Sequence, residues 1–225
     1  MANRCGGCAA RLRGICNELA ADQLALLSTL GRQRCLAAGE TLIWEGEDAA
    51  VVANLLSGAL KLTASTASGR EQILGIAYPS DFVGPLYGRR SGYSVTALSD
   101  VEICLFTRRD FEGFARHHPA LEHELLKRAL TDLDRARRFM LLLGRKSAIE
   151  RVASLILELS ERLGTGGQLE LPLGRQQMAD VLGLTIETVS RQLTLLKSAG
   201  IIALPGRRAL VINGRADLEA LSEAA

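Results

Sequence analysis

Three cysteines fall within the first sixteen residues of this chain, in the order Cys5, Cys8 and Cys16, although all 225 residues hold only five. The run reads Arg4-Cys5-Gly6-Gly7-Cys8, then seven residues, then Cys16. Thiolates are soft metal ligands, and a short glycine-containing segment lets them converge on one centre. Three thiolates are one short of the four that an iron–sulfur cluster or a structural zinc ion takes. The spacing therefore asks for a fourth ligand and leaves its identity, and the metal, open. Cys35 reads as a small, half-buried residue at a strand start, and an isolated cysteine such as Cys104 reads as a buried hydrophobe. His117, His118 and His123 read as surface or helix-terminal residues.

A second stretch carries a different chemistry. From Arg175 to Thr194 the sequence has the pattern of two short helices joined by a tight turn. Ala179 is small where the helices cross, and Gly183 stands in the turn, where a left-handed backbone favours glycine. Leu184, Val189 and Leu193 supply buried contacts, and Thr185 caps the second helix. That places Glu187, Thr188, Ser190 and Arg191 in its first turns, the part that meets base edges in the major groove. An arginine can donate twice to guanine, a glutamate can accept from the cytosine amino group, and a serine can bond a base edge or touch a thymine methyl. The net charge of +2 does not by itself argue for nucleic acid, so this local arrangement carries the expectation.

The rest of the chain must position these two groups. Hydrophobic residues make up 48% and aromatics only 4%, so aliphatic side chains fill the cores. No apolar leader and no stretch near the length of a membrane span is present, which predicts a cytoplasmic protein without a membrane partner. In that reducing compartment, clustered cysteines are metal ligands more often than disulfides. A short helix is expected over 17–31. Glycine-punctuated β-prone runs at 41–44, 51–56, 59–63, 72–76, 94–98 and 101–106 predict a sandwich, jelly roll or barrel, with a hairpin turn at Ser68-Gly69. Asp110 to His117 suits a short helix, and Pro119 opens a long one. Leu126, Ala129, Leu133, Ala136, Met140 and Leu143 then recur at spacings of 3, 4, 3, 4 and 3, a heptad seam for a partner helix in a symmetric dimer. Ala148 to Leu163 reads as an amphipathic helix. After the paired helices, 201–204 and 209–212 flank Pro205-Gly206-Arg207-Arg208 as a hairpin with a basic tip. The fold class is α+β. The expected divisions are a cysteine-rich segment and short helix (1–30), a β-roll (31–117), a dimerisation helix (118–145) and a winged helix-turn-helix (146–225).

This order of parts resembles the CRP/FNR superfamily of bacterial transcription regulators, over essentially the whole chain. Leu182-Gly183-Leu184-Thr185-Ile186-Glu187-Thr188-Val189-Ser190-Arg191 closely resembles the recognition motif of its FNR branch. The resemblance implies that Glu187, Ser190 and Arg191 read palindromic TTGAT-type half-sites on double-stranded DNA. It implies an oxygen-labile [4Fe–4S] cluster on Cys5, Cys8, Cys16 and, from the β-roll, Cys104. The gap before Cys16 is longer than in the best-known FNR proteins and similar to a variant in photosynthetic and nitrogen-fixing bacteria. The resemblance also implies a homodimer that forms when oxygen is absent, with RNA polymerase as a further partner, to control anaerobic or microaerobic genes; surface loops such as residues 81–92 carry no readable code for that contact. Pro85 and Ser91 stand where cyclic-nucleotide binders of the superfamily carry a glutamate and an arginine, so no cyclic nucleotide is expected. The alternative is a family member without an iron–sulfur cluster, controlled by zinc or thiol oxidation. An enzyme or electron carrier is not expected, because the cysteine spacing fits no ferredoxin pattern.

Overall fold

The computed structural model describes residues 5, 8, 11, 13–164 and 168–223. The chain packs as two compact units. One runs up to Asp134 without Glu71–Ile73, and the other joins Glu71–Ile73 to the chain from Arg135 onward. The division falls inside the long helix that the sequence marks as a single element.

In the first unit a 3-10 turn, Ile15–Glu18, leads into α1 (Ala21–Leu30). Eight strands follow: β1 (Arg32–Leu36), β2 (Thr41–Ile43), β3 (Val51–Ser57), β4 (Leu60–Ser65), β5 (Glu71–Ala77), β6 (Phe82–Val83), β7 (Ser94–Ala97) and β8 (Val101–Thr107). They form two four-stranded sheets in the orders β1-β8-β3-β6 and β2-β7-β4-β5, the jelly-roll arrangement expected from the evenly spaced runs. The Ser68-Gly69 turn is present, with Gly69 at φ +79° and the Gly69 amide donating to the Thr66 carbonyl at 2.8 Å. Side chains alternate across each strand. On β8, Val101, Ile103 and Leu105 enter the core between the sheets with Leu36, Ala53, Leu55, Leu60 and Val95. Cys104 and Phe106 therefore point the other way.

That outer face is covered by a second apolar cluster. Ile15, Leu24 and Leu27 meet Val52, Phe106, Phe111, Phe114 and Leu121 there, with Cys5, Cys16 and Cys104 at its edge. Phe111, Phe114 and Ala115 come from α2 (Arg108–Arg116), and Thr107 caps that helix by accepting from the Asp110 amide at 3.2 Å. Cys35 departs from expectation. It is exposed on edge strand β1, whose residues up to Cys35 are all exposed.

Helix α3 spans Pro119–Arg145. In the second unit, α4 (Ala148–Leu163) buries Val152, Leu155, Ile156 and Leu159 and packs against α6 (Ile186–Ser198) and α7 (Arg215–Glu223). Helix α5 (Arg175–Leu182) precedes α6, and β9 (Gln168–Glu170), β10 (Ile202–Ala203) and β11 (Ala209–Ile212) form a small sheet in the order β10-β11-β9. The basic hairpin is thus a wing extended by a third strand. Arg151 on α4 clasps this unit together. Its guanidinium donates to the carbonyls of Leu143 (2.8 Å), Lys146 (2.9 Å) and Leu182 (3.0 Å), closing the C-terminal ends of α3 and α5 with one side chain. No helix among the described residues is long and apolar enough to cross a membrane.

Candidate sensor recess and DNA-reading helix

Cys5, Cys8, Cys16 and Cys104 line one recess on the outer face of the β1-β8-β3-β6 sheet, together with Arg11, Leu24, Leu27, Asn54, Leu56 and Phe106. The recess and the solvent at its mouth together make up about 390 Å³. Strand alternation puts Cys104 there, the turn before α1 supplies Cys16, and Cys5 and Cys8 come from the preceding segment. The fifth cysteine, Cys35, stands apart from it.

The four cysteines share the lining of the recess with apolar side chains. Among the described residues, no three His, Cys, Asp or Glu are grouped so as to hold one ion. Burial, reinforced by the neighbouring thiols, pushes Cys16 and Cys104 up to about 12. Cys5 is raised too, again chiefly by burial and then by Cys8, against a lowering from Arg11. Both Cys16 and Cys104 are protonated at neutral pH unless positive charge enters the recess. A metal taken up here would have to displace those protons.

Asn54 also lines the recess, a place that local sequence pattern does not announce. It is 3% exposed, pairs in register with Cys104, and its amide nitrogen lies 3.6 Å from Cys16 Sγ. Its Oδ1 is buried with no hydrogen-bond partner. The legible signal is a lone amide in the apolar run Val51-Val52-Ala53-Asn54-Leu55-Leu56. An N–H donated to a ligand sulfur is one way a protein tunes a bound cluster. Gly31, at the end of α1, packs close behind Phe106 and Cys104. A Cβ there would stand 2.5 Å from Phe106 Cε1 and 3.1 Å from Cys104 Sγ. Gly31→Ala is expected to cost about 1–3 kcal/mol of stability by overpacking. An unchanged thermal midpoint would show that the Phe106 ring gives way freely.

In the second unit the turn is as the sequence requires. Gly183 is left-handed (φ 60°, ψ 39°) and Thr185 accepts from the Thr188 amide at 3.3 Å. Ala179, Val189 and Leu193 are buried, while Leu184 is half-buried. Glu187, Ser190, Arg191 and Thr194 share one exposed face of α6 at i, i+3, i+4 and i+7. Thr188 lies off that face. Its hydroxyl is 3.1 Å from that of Thr185, which makes it part of the cap. Glu187 is held below the usual carboxylate range by its own backbone amide and the Thr185 hydroxyl, so it presents an acceptor. Arg191→Ala is expected to weaken operator binding by about 1–3 kcal/mol and to relax choice at one base pair. Competition titrations with single-base variants of the operator check this, and retained discrimination at every position would remove Arg191 from readout.

Along α3, Leu126, Ala129, Leu133, Ala136 and Met140 are exposed in the single chain, and Leu130 and Leu141 widen the stripe. Leu143 is half-buried instead, with its Cδ2 3.6 Å from the position of a Cβ at Gly183.

Residues 33–118 match the cyclic nucleotide-binding domain family, and residues 150–221 match the Crp-like helix-turn-helix domain family. The transcriptional activator protein FnrL of Cereibacter sphaeroides is 41% identical over 96% of this chain and 90% of its own length. This chain is a member of the CRP/FNR family. Members are DNA-binding transcription regulators, not enzymes. The nitrogen fixation regulation protein FixK of Bradyrhizobium diazoefficiens is 39% identical over 89% of this chain and 86% of its own. The solved structure of FixK2 from Bradyrhizobium japonicum superposes with a TM-score of 0.83 at 34% identity, over 87% of this chain and 98% of that one.

Proposed function

We propose that this CRP/FNR regulator is an oxygen-responsive transcription activator that holds a [4Fe–4S] cluster on Cys5, Cys8, Cys16 and Cys104. The observation that carries the reading is the convergence of four thiols, from two distant parts of the chain, on one half-enclosed recess. A bound cluster would supply oxygen-labile iron–sulfur chemistry. The protein's part is to bind and shield. Leu24, Leu27, Leu56 and Phe106 give the recess an apolar wall that limits water, and Asn54 aims its amide at Cys16 Sγ. Cys5, Cys8 and Cys16 tie the N-terminal segment to β8 through Cys104.

A second copy of the chain covers the α3 stripe in this reading, and two α6 helices then meet a palindrome of TTGAT-type half-sites one turn of DNA apart. Glu187, Ser190 and Arg191 are the base readers, and Arg207 and Arg208 at the exposed wing tip suit phosphate. RNA polymerase is the partner for activation. Cyclic nucleotides are not ligands. Pro85 supplies no carboxylate, and the buried Ser91 spends its hydroxyl on the Tyr93 carbonyl at 2.5 Å.

The test is anaerobic purification with an absorption spectrum and iron and sulfide counts, before and after a pulse of air. About four iron and four sulfide per chain are expected, with a brown colour that bleaches in air as the dimer dissociates. A colourless protein without labile sulfide, even after anaerobic reconstitution, would sink the cluster. It would leave a regulator controlled by zinc or by thiol oxidation.

A further inference from the structure

Arg128 lies on α3 between the seam residues Leu126 and Ala129, and its guanidinium faces the body of the first unit. Its Nη1 donates to the Ser80 carbonyl at 3.1 Å, and its Nη2 donates to the Arg13 carbonyl. Its Nε is held by Glu124 Oε1, one helical turn back, at 3.0 Å. One half-buried side chain thus binds backbone from segments 115 and 48 residues away in sequence.

Both acceptors matter. Arg13 precedes Cys16 by three residues, and Ile15 between them is fully buried against Leu121 and Phe111 of the outer cluster. The Arg13 carbonyl can sit in the guanidinium fork only when this segment lies down on the β-roll. Ser80 holds the other prong fixed. It has φ +81°, the one positive value at a non-glycine among the described residues, and its amide donates to the Leu55 carbonyl at 2.8 Å, next to Asn54. A guanidinium fork is rigid and planar, so two such bonds fix its orientation.

We propose that Arg128 is the positioning residue that couples the cysteine-bearing segment to the dimer helix. The inference rests on the function proposed above and names the contact through which it works. Ordering of Cys5, Cys8 and Cys16 around a ligand keeps Arg13 in place, which holds Arg128 and with it the rotation of the seam. Linkage makes the effect reciprocal: pairing of two α3 helices orders the N-terminal segment.

The experiment compares wild type, Arg128→Met and Arg128→Lys, each reconstituted anaerobically and then exposed to air. Methionine keeps the stem and removes every donor, whereas lysine keeps the charge but cannot span both carbonyls. Iron and sulfide per chain, thermal midpoint and the dimer Kd are read in both states. The expected result is an unchanged iron content in all three. The ratio of air-exposed to reconstituted dimer Kd should fall about tenfold in Arg128→Met, with Arg128→Lys in between. An Arg128→Met protein that keeps the wild-type ratio overturns the proposal. If Arg128→Met fails to fold, the ratio in Arg128→Lys decides, and a wild-type value there overturns it equally. If wild type itself takes up no iron, the function proposed above fails separately. Hydrogen exchange at residues 13–19 then decides for Arg128. Protection that rises with dimer concentration in wild type and not in Arg128→Met supports the coupling, and an equal rise in both overturns it.

Discussion

Cys104→Ser is expected to lose most of its iron and sulfide and all oxygen-dependent DNA binding while keeping its fold. Serine is close to cysteine in size, and β8 is held on both sides by β1 and β3, so the strand has no reason to move. What changes is the ligand. A hydroxyl is a hard donor that stays protonated near neutral pH, and iron–sulfur clusters are held by thiolates. Removing the ligand from the β-roll also leaves the three N-terminal thiols with nothing rigid to tie to. The iron count should fall to a small fraction of wild type, with circular dichroism and thermal midpoint little changed. Cys35→Ser is the control, because Cys35 is exposed and lies outside the recess. It should keep a full complement. A Cys104→Ser protein with full iron would place the fourth ligand elsewhere.

Leu133→Glu is expected to raise the dimer Kd by more than a hundredfold and to cut operator affinity with it. Leu133 is 46% exposed in the single chain and stands mid-way along the stripe between Ala129 and Ala136, whose small side chains let two backbones approach. In a symmetric pair the substitution acts twice. Each copy loses the burial of a leucine, about 1.5–3 kcal/mol, and two carboxylates face one another in a desolvated seam. Even 3 kcal/mol exceeds a factor of a hundred. Sedimentation equilibrium measures it directly, and an unchanged Kd would assign the stripe to something other than a second copy.

The architecture was legible wherever local pattern decides structure. The β-branched runs between glycines gave β3, β5, β7 and β8, Pro119 gave the start of α3, and Ala148 to Leu163 gave α4 to the residue. Most of strand β1 escapes a sequence reading, which marks only a strand start at Cys35, because Arg32-Gln33-Arg34 shows no alternation. It is a strand only because β8 lies beside it. The two-residue β6 escaped for the same reason. At the recess, spacing alone gave Cys5, Cys8 and Cys16. Cys104 followed from the resemblance, since which face of β8 meets the N-terminus depends on non-local pairing. Thr188 shares the helical turn of Glu187 and Arg191, which groups it with them in the sequence, and its bond with the Thr185 hydroxyl shows only in the structure. Arg128 gave no signal, because a charged residue on a long helix normally faces solvent.

The three carbonyls gathered by Arg151 turn the second unit into a crank. With Leu143, Lys146 and Leu182 pinned to one guanidinium, the end of α3 and the turn before α6 cannot swivel independently. Helix α6 has 13 residues and so is about 20 Å long. A tilt of about 10° at its root carries its far end roughly 3.4 Å, the rise of one base pair. In the dimer proposed above, such a joint would turn any twist at the end of α3 into misregistry of α6 against its half-site, so half-site spacing would report on that angle.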